Sequence, residues 1–277
     1  LDRIDRNPEK IAEKYASSAA HTCGSKRVMS ETYALSGWEL TLQEMKRWVD
    51  YQYVRGVNLL VPHAFYCSIE GDRETECPPS EFYQNPYWKY FSYYSEYTNR
   101  ASYILSQGTH KCHAALYYPI HSMQAMYDPV NREKVIEKDK EFQKLALGLL
   151  DYQLDYDIIT KDNLLNADLL ENGRMKIAEE DYGTLIISVD DYFTQEEVER
   201  IEKFLSLGGK VIFANGLPKK FAHLEDHPNV LWIKARLADK GYTFAREVLT
   251  IQTFMMKNDQ IDLYLPKHDS SIKYMHR

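Results

Sequence analysis

The sequence lacks several features that define large classes of protein. It has no dense run of lysine and arginine, and it carries a net charge of −7 over 277 residues. This argues against nucleic-acid binding, because that function needs a basic patch to neutralise phosphates. No apolar run reaches the length of about 18 residues that a membrane span needs. The chain also has no GxGxxG or GxxxxGK(S/T) motif, so we expect no nucleotide cofactor.

Cysteine is scarce in this chain. The four cysteines are Cys23, Cys67, Cys77 and Cys112, and none of them forms a CxxC pair or a metal-binding spacing. Cys67 and Cys77 flank one long loop and could pair in an oxidising compartment. With so few cysteines in a chain of this length, buried thiols are the favoured state.

Tyrosine, in contrast, is abundant. It occurs 22 times, and many copies lie between Tyr83 and Tyr118. Its flat apolar face and its hydroxyl group suit both sugar rings and protein interfaces. We expect most of these tyrosines to pack a helix against its neighbours. A sugar-binding protein that uses the tyrosine-rich segment is a less favoured alternative.

Residues 26–63 predict a strand, a helix and a second strand. Glu31 follows the first strand, and His63 stands at the end of the second, fully apolar one. Thr41 and Glu44 form a capping-box pattern that begins the helix between them. This order is typical of a (β/α) barrel, whose chemistry lies at the carboxyl ends of the strands.

Several side chains near these strand ends are candidates for a sugar site. Glu31 lies where a barrel glycosidase would keep a catalytic acid or base, although a glutamate at a strand end is not by itself a specific motif. His63 would face the same edge and either hydrogen-bond a sugar hydroxyl or support a neighbouring side chain. Tyr33 and Trp38 follow in the loop and could form a platform for a sugar ring. His21 lies in a helix, where a packing role is favoured.

From Cys112 onward, strands alternate with helices. This spacing predicts a doubly wound parallel sheet, and the last residues alternate apolar with polar, which predicts an antiparallel hairpin. The predicted strands cover residues 113–118, 157–159, 185–189, 210–214 and 230–233, and the predicted helices cover residues 132–150 and 194–207.

A series of short motifs resembles one known family, glycoside hydrolase family 106, whose members are α-L-rhamnosidases. The order and spacing of the motifs carry the resemblance, which covers nearly the whole chain. They are Ala16–His21, Val28–Glu31, Leu42–Lys46, Arg55–Asn58, Pro62–His63, Pro78–Ser80, Tyr97, Arg100, Ser102, Leu105, Gly108, Leu154–Asp157, Leu164–Leu165, Gly208–Val211, Tyr274, His276 and Arg277.

The resemblance implies a fold in three parts. Residues 1–108 would be the last strands of a (β/α)8-type barrel, residues 109–256 a Rossmann-like or flavodoxin-like α/β domain, and residues 257–277 the start of an antiparallel β region. Most barrel strands would then lie upstream of residue 1, in a longer protein. The α/β domain would brace the barrel or mediate contact between chains.

The resemblance also implies a function. Enzymes of this kind are expected to invert the anomeric carbon with two carboxylates and to use calcium at the sugar. Glu31 would be one carboxylate, with general base slightly favoured over general acid, and the other would come from an earlier strand. A carbohydrate substrate and a periplasmic or secreted location are implied by the same resemblance, as is contact with the missing barrel portion or another chain. The alternative is a non-catalytic structural or assembly module of a carbohydrate-processing protein.

Overall fold

The computed structural model describes residues 11–75, 78–188, 192–233, 250–251 and 253–255. The chain divides into two compact units, of which the first holds residues 1–20 and 25–110, and the second holds residues 21–24 and 111–276. None of the helices in the described ranges is long and apolar enough to cross a membrane. The antiparallel region predicted for residues 257–277 lies outside the described residues.

The first unit contains the predicted strand, helix and strand. Helix α1 (Ala12–Thr22) precedes strand β1 (Met29–Thr32), helix α2 (Leu42–Tyr53), strand β2 (Leu59–Pro62) and helix α3 (Phe91–Leu105). Strands β1 and β2 pair in parallel, which confirms the predicted order of elements. The capping box is also confirmed, because the Thr41 side chain accepts the Glu44 N–H and the Glu44 side chain accepts the Thr41 N–H.

Strand β2 is apolar, as predicted, but it is not buried at every position. Along β2 the side chains alternate between exposed and half-buried, with Leu59 40% and Val61 42% exposed. Met29 on β1 is 59% exposed. Successive side chains of a strand point to opposite faces, and in the described residues this sheet has only two strands. One face of the β1–β2 pair therefore presents apolar side chains to solvent.

The core of the first unit is built around α2. Met45, Trp48, Val49 and Tyr53 are buried on it, as its helical periodicity predicts. Helix α3 carries part of the tyrosine-rich segment, whose tyrosines the sequence predicts to pack against neighbouring elements. Only Tyr94 and Thr98 are buried on this helix, so the prediction is wrong for Tyr93 and Tyr103, which are 73% and 66% exposed.

The second unit is centred on a five-stranded parallel sheet. Its order is β10–β9–β8–β3–β4, so the predicted parallel sheet is confirmed. Strands β3, β4, β8 and β9 are buried at every position, as expected for parallel strands covered on both faces. The elements are β3 (Ala114–Tyr117), α4 (Ile120–Met126), α5 (Glu133–Asp151), β4 (Tyr156–Ile159), α6 (Lys161–Asn166), β5 (Asp168–Leu170), β6 (Arg174–Ile177), β7 (Glu180–Tyr182), β8 (Thr184–Ile187), α7 (Gln195–Ser206), β9 (Lys210–Phe213) and β10 (Val230–Trp232).

A small antiparallel sheet of β5, β6 and β7 was not predicted. Its strands are only three or four residues long and partly polar, so their periodicity is weak. The signal that could have identified it is Asn172-Gly173, a sequence favoured in hairpin loops. Leu170 pairs with Arg174 around this turn, and Gly173 has a φ of +75°. A Cβ atom at Gly173 would lie 2.5 Å from the carbonyl carbon of Gly208, so this position requires glycine.

The cysteines are only partly as expected. Cys112 is a buried thiol, but Cys23 and Cys67 are exposed thiols, so the expectation of buried thiols is wrong for these two. Both exposed cysteines lie outside the regular strands, on a turn after α1 and in the loop that follows β2. Cys77 lies outside the described residues.

Candidate functional site

Glu31 and His63 meet at the carboxyl ends of the two parallel strands of the first unit. The register pairs Glu31 with Val61 and Thr32 with Pro62, and the His63 N–H donates to the Thr32 carbonyl at 2.8 Å. His63 Nδ1 lies 3.2 Å from Glu31 Oε1. The sequence predicts that both residues face the same edge, because adjacent parallel strands lie about 4.8 Å apart, and this distance confirms it.

The pair is open to solvent. The Glu31 side chain is 57% exposed and the His63 side chain 40% exposed. An ion pair this exposed contributes little to folding stability, so its main physical effect is orientation. With a proton on Nδ1, His63 donates to one oxygen of Glu31 and leaves the other oxygen free to act on a water molecule or a hydroxyl group.

Hydrogen bonds hold the segment after His63 in place. The Ala64 N–H donates to the Pro79 carbonyl at 3.2 Å, and the Glu81 N–H donates to the Ala64 carbonyl at 2.8 Å. Ser80 Oγ donates to Gln84 Oε1 at 2.8 Å. The carboxyl end of β2 is therefore tied to residues 79–81, which fixes the backbone that carries the imidazole.

Glu81 is a buried carboxyl group that the sequence reasoning missed. It is 3% exposed, and burial raises its pKa to about 7. Its Oε1 atom has no hydrogen-bond partner among the described residues. A buried carboxyl group that titrates near neutrality is a common feature of functional sites. The only sequence signal was its position directly after the Pro78–Ser80 motif.

Tyr33 does not form a sugar platform, and that prediction is wrong. Its side chain is fully buried, with φ at +78°, and its hydroxyl donates to the Met45 carbonyl at 3.0 Å and bonds the Tyr94 hydroxyl at 2.6 Å. Burial also raises its pKa well above the usual range. Tyr33 adopts a left-handed backbone conformation directly after β1. Its side chain lies in the core of the first unit rather than in solvent.

Trp38 is half-buried in the turn that precedes α2. Its Nε1 atom is buried and has no hydrogen-bond partner among the described residues. Buried indole N–H groups usually find a partner, so this unpartnered donor is an exception. The substrate-binding role of Trp38 stays a prediction.

The use of calcium stays a prediction for this chain. Calcium takes six to eight oxygen ligands. In the described ranges, no cluster of three or more metal-ligating side chains includes Glu31 or the acidic loop of residues 70–74. Glu31 alone supplies too few oxygens to hold this ion.

Solved structures resemble this chain in fold. A rhamnosidase from Novosphingobium sp. PP1Y superposes with a TM-score of 0.58 at 18% identity, over 82% of this chain and 22% of that one. A β-galactosidase from Rahnella sp. R3 gives a TM-score of 0.52 at 11% identity, over 78% of this chain and 32% of that one. The names of both proteins describe enzymes that act on glycosides. At these sequence identities the similarity concerns the fold alone.

Sequence similarity to known proteins covers almost the entire chain. A protein of Formosa agariphila with β-glucuronidase in its name is 23% identical over 274 residues, which is 95% of this chain and 22% of the relative. The chain thus spans about a fifth of the length of this relative. The model of glycoside hydrolase family 106, described as α-L-rhamnosidase, matches residues 3–277. Because that match covers nearly every residue, the protein belongs to glycoside hydrolase family 106.

Proposed function

We propose that this chain is part of an enzyme that cleaves α-L-rhamnoside-like linkages with inversion, and that Glu31 is one of its two catalytic carboxylates. The observation that carries the proposal is the Glu31–His63 pair, an exposed carboxylate held by an imidazole at the carboxyl ends of two parallel strands. Membership of a glycoside hydrolase family supports the reaction class.

In this proposal Glu31 acts as the general base. Its free oxygen takes a proton from water as that water attacks the anomeric carbon, and the bond from this carbon to the leaving oxygen breaks. A carboxylic acid about 6.5–9.5 Å away protonates the leaving oxygen. His63 is a positioning residue that holds the carboxylate of Glu31. We assign the acid to an earlier barrel strand of a longer protein.

The uncovered face of β1 and β2 supports a longer barrel. Met29, Leu59 and Val61 are exposed apolar side chains on a two-stranded sheet, and further strands would cover them and continue the pairing. The relatives are several times longer than this chain, which is compatible with additional strands. Calcium and a periplasmic or secreted location remain proposals from the family resemblance, and no step above uses the ion.

Turnover by the full-length protein tests the proposal. Wild type should hydrolyse an aryl α-L-rhamnoside, and Glu31→Gln should lower kcat by about 10² to 10⁴, the usual contribution of one acid–base group. Glu96→Gln is the matched control, because Glu96 is also an exposed carboxylate with a basic partner, Arg100 at 3.7 Å. Circular dichroism should be unchanged in both variants.

Four outcomes would contradict the proposal in whole or in part. Equal turnover by wild type and Glu31→Gln would remove Glu31 from the chemistry, and a product released with retained anomeric configuration would exclude inversion. Hydrolysis of an aryl β-D-glucuronide but not of the rhamnoside would assign the substrate suggested by the name of the Formosa relative. No activity on either would favour the non-catalytic assembly module.

A further inference from the structure

One face of α3 is exposed and rich in tyrosine. Tyr93 and Tyr103 are 73% and 66% exposed. Between them, Arg100 Nη1 lies 3.7 Å from Glu96 Oε2 in an ion pair whose side chains are also mostly exposed. At 3.6 residues per turn, these four positions lie within an arc of about 80° on the helix surface, opposite to the buried Thr98. The first unit therefore presents this face of α3 to solvent.

The exposed face of α3 is complementary to a second copy of itself. Tyr93 and Tyr103 lie five positions before and after Thr98, and Glu96 and Arg100 lie two positions before and after it. If two copies of the helix pack antiparallel through this face, Glu96 of each copy faces Arg100 of the other. Tyr93 of each copy then faces Tyr103 of the other. A two-fold axis relates the two copies, so the same four side chains supply both halves of the contact.

The charges on this face select the antiparallel arrangement. Parallel packing would place Glu96 against Glu96 and Arg100 against Arg100, and like charges that face each other across an interface repel. Antiparallel packing joins the two ion pairs into a network of four alternating charges. Tyrosine and arginine are also enriched at the centres of protein interfaces. Ile104, which is 65% exposed, adds apolar surface beside these residues.

We propose that the face of α3 formed by Tyr93, Glu96, Arg100 and Tyr103 joins two copies of this protein in an antiparallel dimer with two-fold symmetry. A contact centred on four side chains per copy is smaller than a standard interface, so the dimer is reversible and forms at micromolar concentration. Salt weakens it, because its charged pairs are exposed. None of the four residues has a part in the proposed glycosidase reaction, so the inference does not depend on that activity.

Charge reversal tests the proposal by sedimentation velocity on the full-length protein. Wild type should pass from monomer to dimer between about 1 and 200 µM. Glu96→Arg would bring four positive charges together at the contact, and Arg100→Glu would bring four negative ones. Each variant alone should therefore dimerise at least about tenfold more weakly than wild type. An equimolar mixture of the two variants should form a heterodimer, because positive charges on one copy then face negative charges on the other.

The matched control is Glu199→Arg, which makes the same change of charge on α7. Glu199 is also exposed, and its Oε1 accepts a hydrogen bond at 3.0 Å from Gln195, four positions earlier. This variant should dimerise as wild type does. Wild type that stays monomeric at about 200 µM would overturn the proposal and mean that another part of a longer protein covers this face. A dimer that both reversals on α3 leave intact would overturn it too, because the contact would then lie on another surface.

Discussion

Glu81 makes the stability of the first unit depend on pH. Burial raises its pKa from 4.5 to about 7 in the folded state, so the folded protein holds this proton more tightly than the unfolded chain does. The stabilisation is therefore complete below pH 4.5 and is lost as pH rises through about 7. At 1.36 kcal/mol per pKa unit, the shift corresponds to about 3 kcal/mol.

We predict that Glu81→Gln matches wild type in unfolding free energy at about pH 4 and exceeds it by up to about 3 kcal/mol at about pH 8.5. Urea unfolding at the two pH values measures this difference. Glu44→Gln is the control, because the pKa of Glu44 is shifted in the opposite direction. Hydrogen bonds from Thr41 lower this pKa, so any effect of Glu44→Gln should not change between the two pH values. A Glu81→Gln variant whose advantage is the same at both pH values would contradict the assignment.

At the scale of single residues, the sequence could identify only those neighbours that strand register brings together. Glu31 and His63 were predicted to be neighbours because both end parallel strands. Tyr33, two positions after Glu31, was misplaced because a left-handed backbone is not visible in the sequence of a tyrosine. The bond from His21 to Asp157 spans 136 positions and depends on the whole fold, so no local pattern could reveal it.

At the scale of elements, the turn between β5 and β6 touches another turn of the second unit. Gly173 has a φ of +75°, and its Cα hydrogens face the backbone of Gly208 and Gly209. An alanine there must adopt a left-handed backbone, which costs about 1–2 kcal/mol, and its methyl group would also displace the neighbouring turn.

Substitution of Gly108 by alanine carries the backbone cost without the steric one, so it serves as the control. Its φ is +74°, but a Cβ there would meet nothing within 4 Å. We predict that Gly173→Ala lowers the unfolding free energy by about 1–3 kcal/mol more than Gly108→Ala does, since overpacking adds to the backbone cost. Denaturant unfolding of both variants makes the comparison. Equal losses of unfolding free energy in the two variants would contradict the prediction, because the β5–β6 turn would then accommodate the methyl group by shifting without an energetic cost.

The elements that sequence predicted well have strong local signals. Thr41 and Thr194 each begin a helix with a glutamate three residues later, and both helices begin there. The apolar strands of the parallel sheet were visible as uninterrupted apolar runs. Strands β5, β6 and β7 were missed because three or four partly polar residues carry too little periodicity to distinguish a strand from a loop.

At the scale of the whole molecule, the described part of the first unit holds one strand-end carboxylate on two parallel strands, whereas the proposed inversion needs two carboxylates. We predict that residues 1–277 alone hydrolyse an aryl α-L-rhamnoside at least about 10² to 10⁴ times more slowly than the longer protein proposed above. Steady-state kcat/KM for the two proteins measures this. Full activity from residues 1–277 would place both carboxylates within this chain.

The exposed face of β1 and β2 has a consequence for handling the isolated chain. Met29, Leu59 and Val61 form an apolar surface beside strand edges that are unpaired in the described residues. Such an edge is a template for intermolecular pairing, and apolar patches of this kind promote association. Expressed alone, the chain should therefore sediment as concentration-dependent oligomers, and polar substitutions on this one face are the rational route to a preparation suitable for solution spectroscopy.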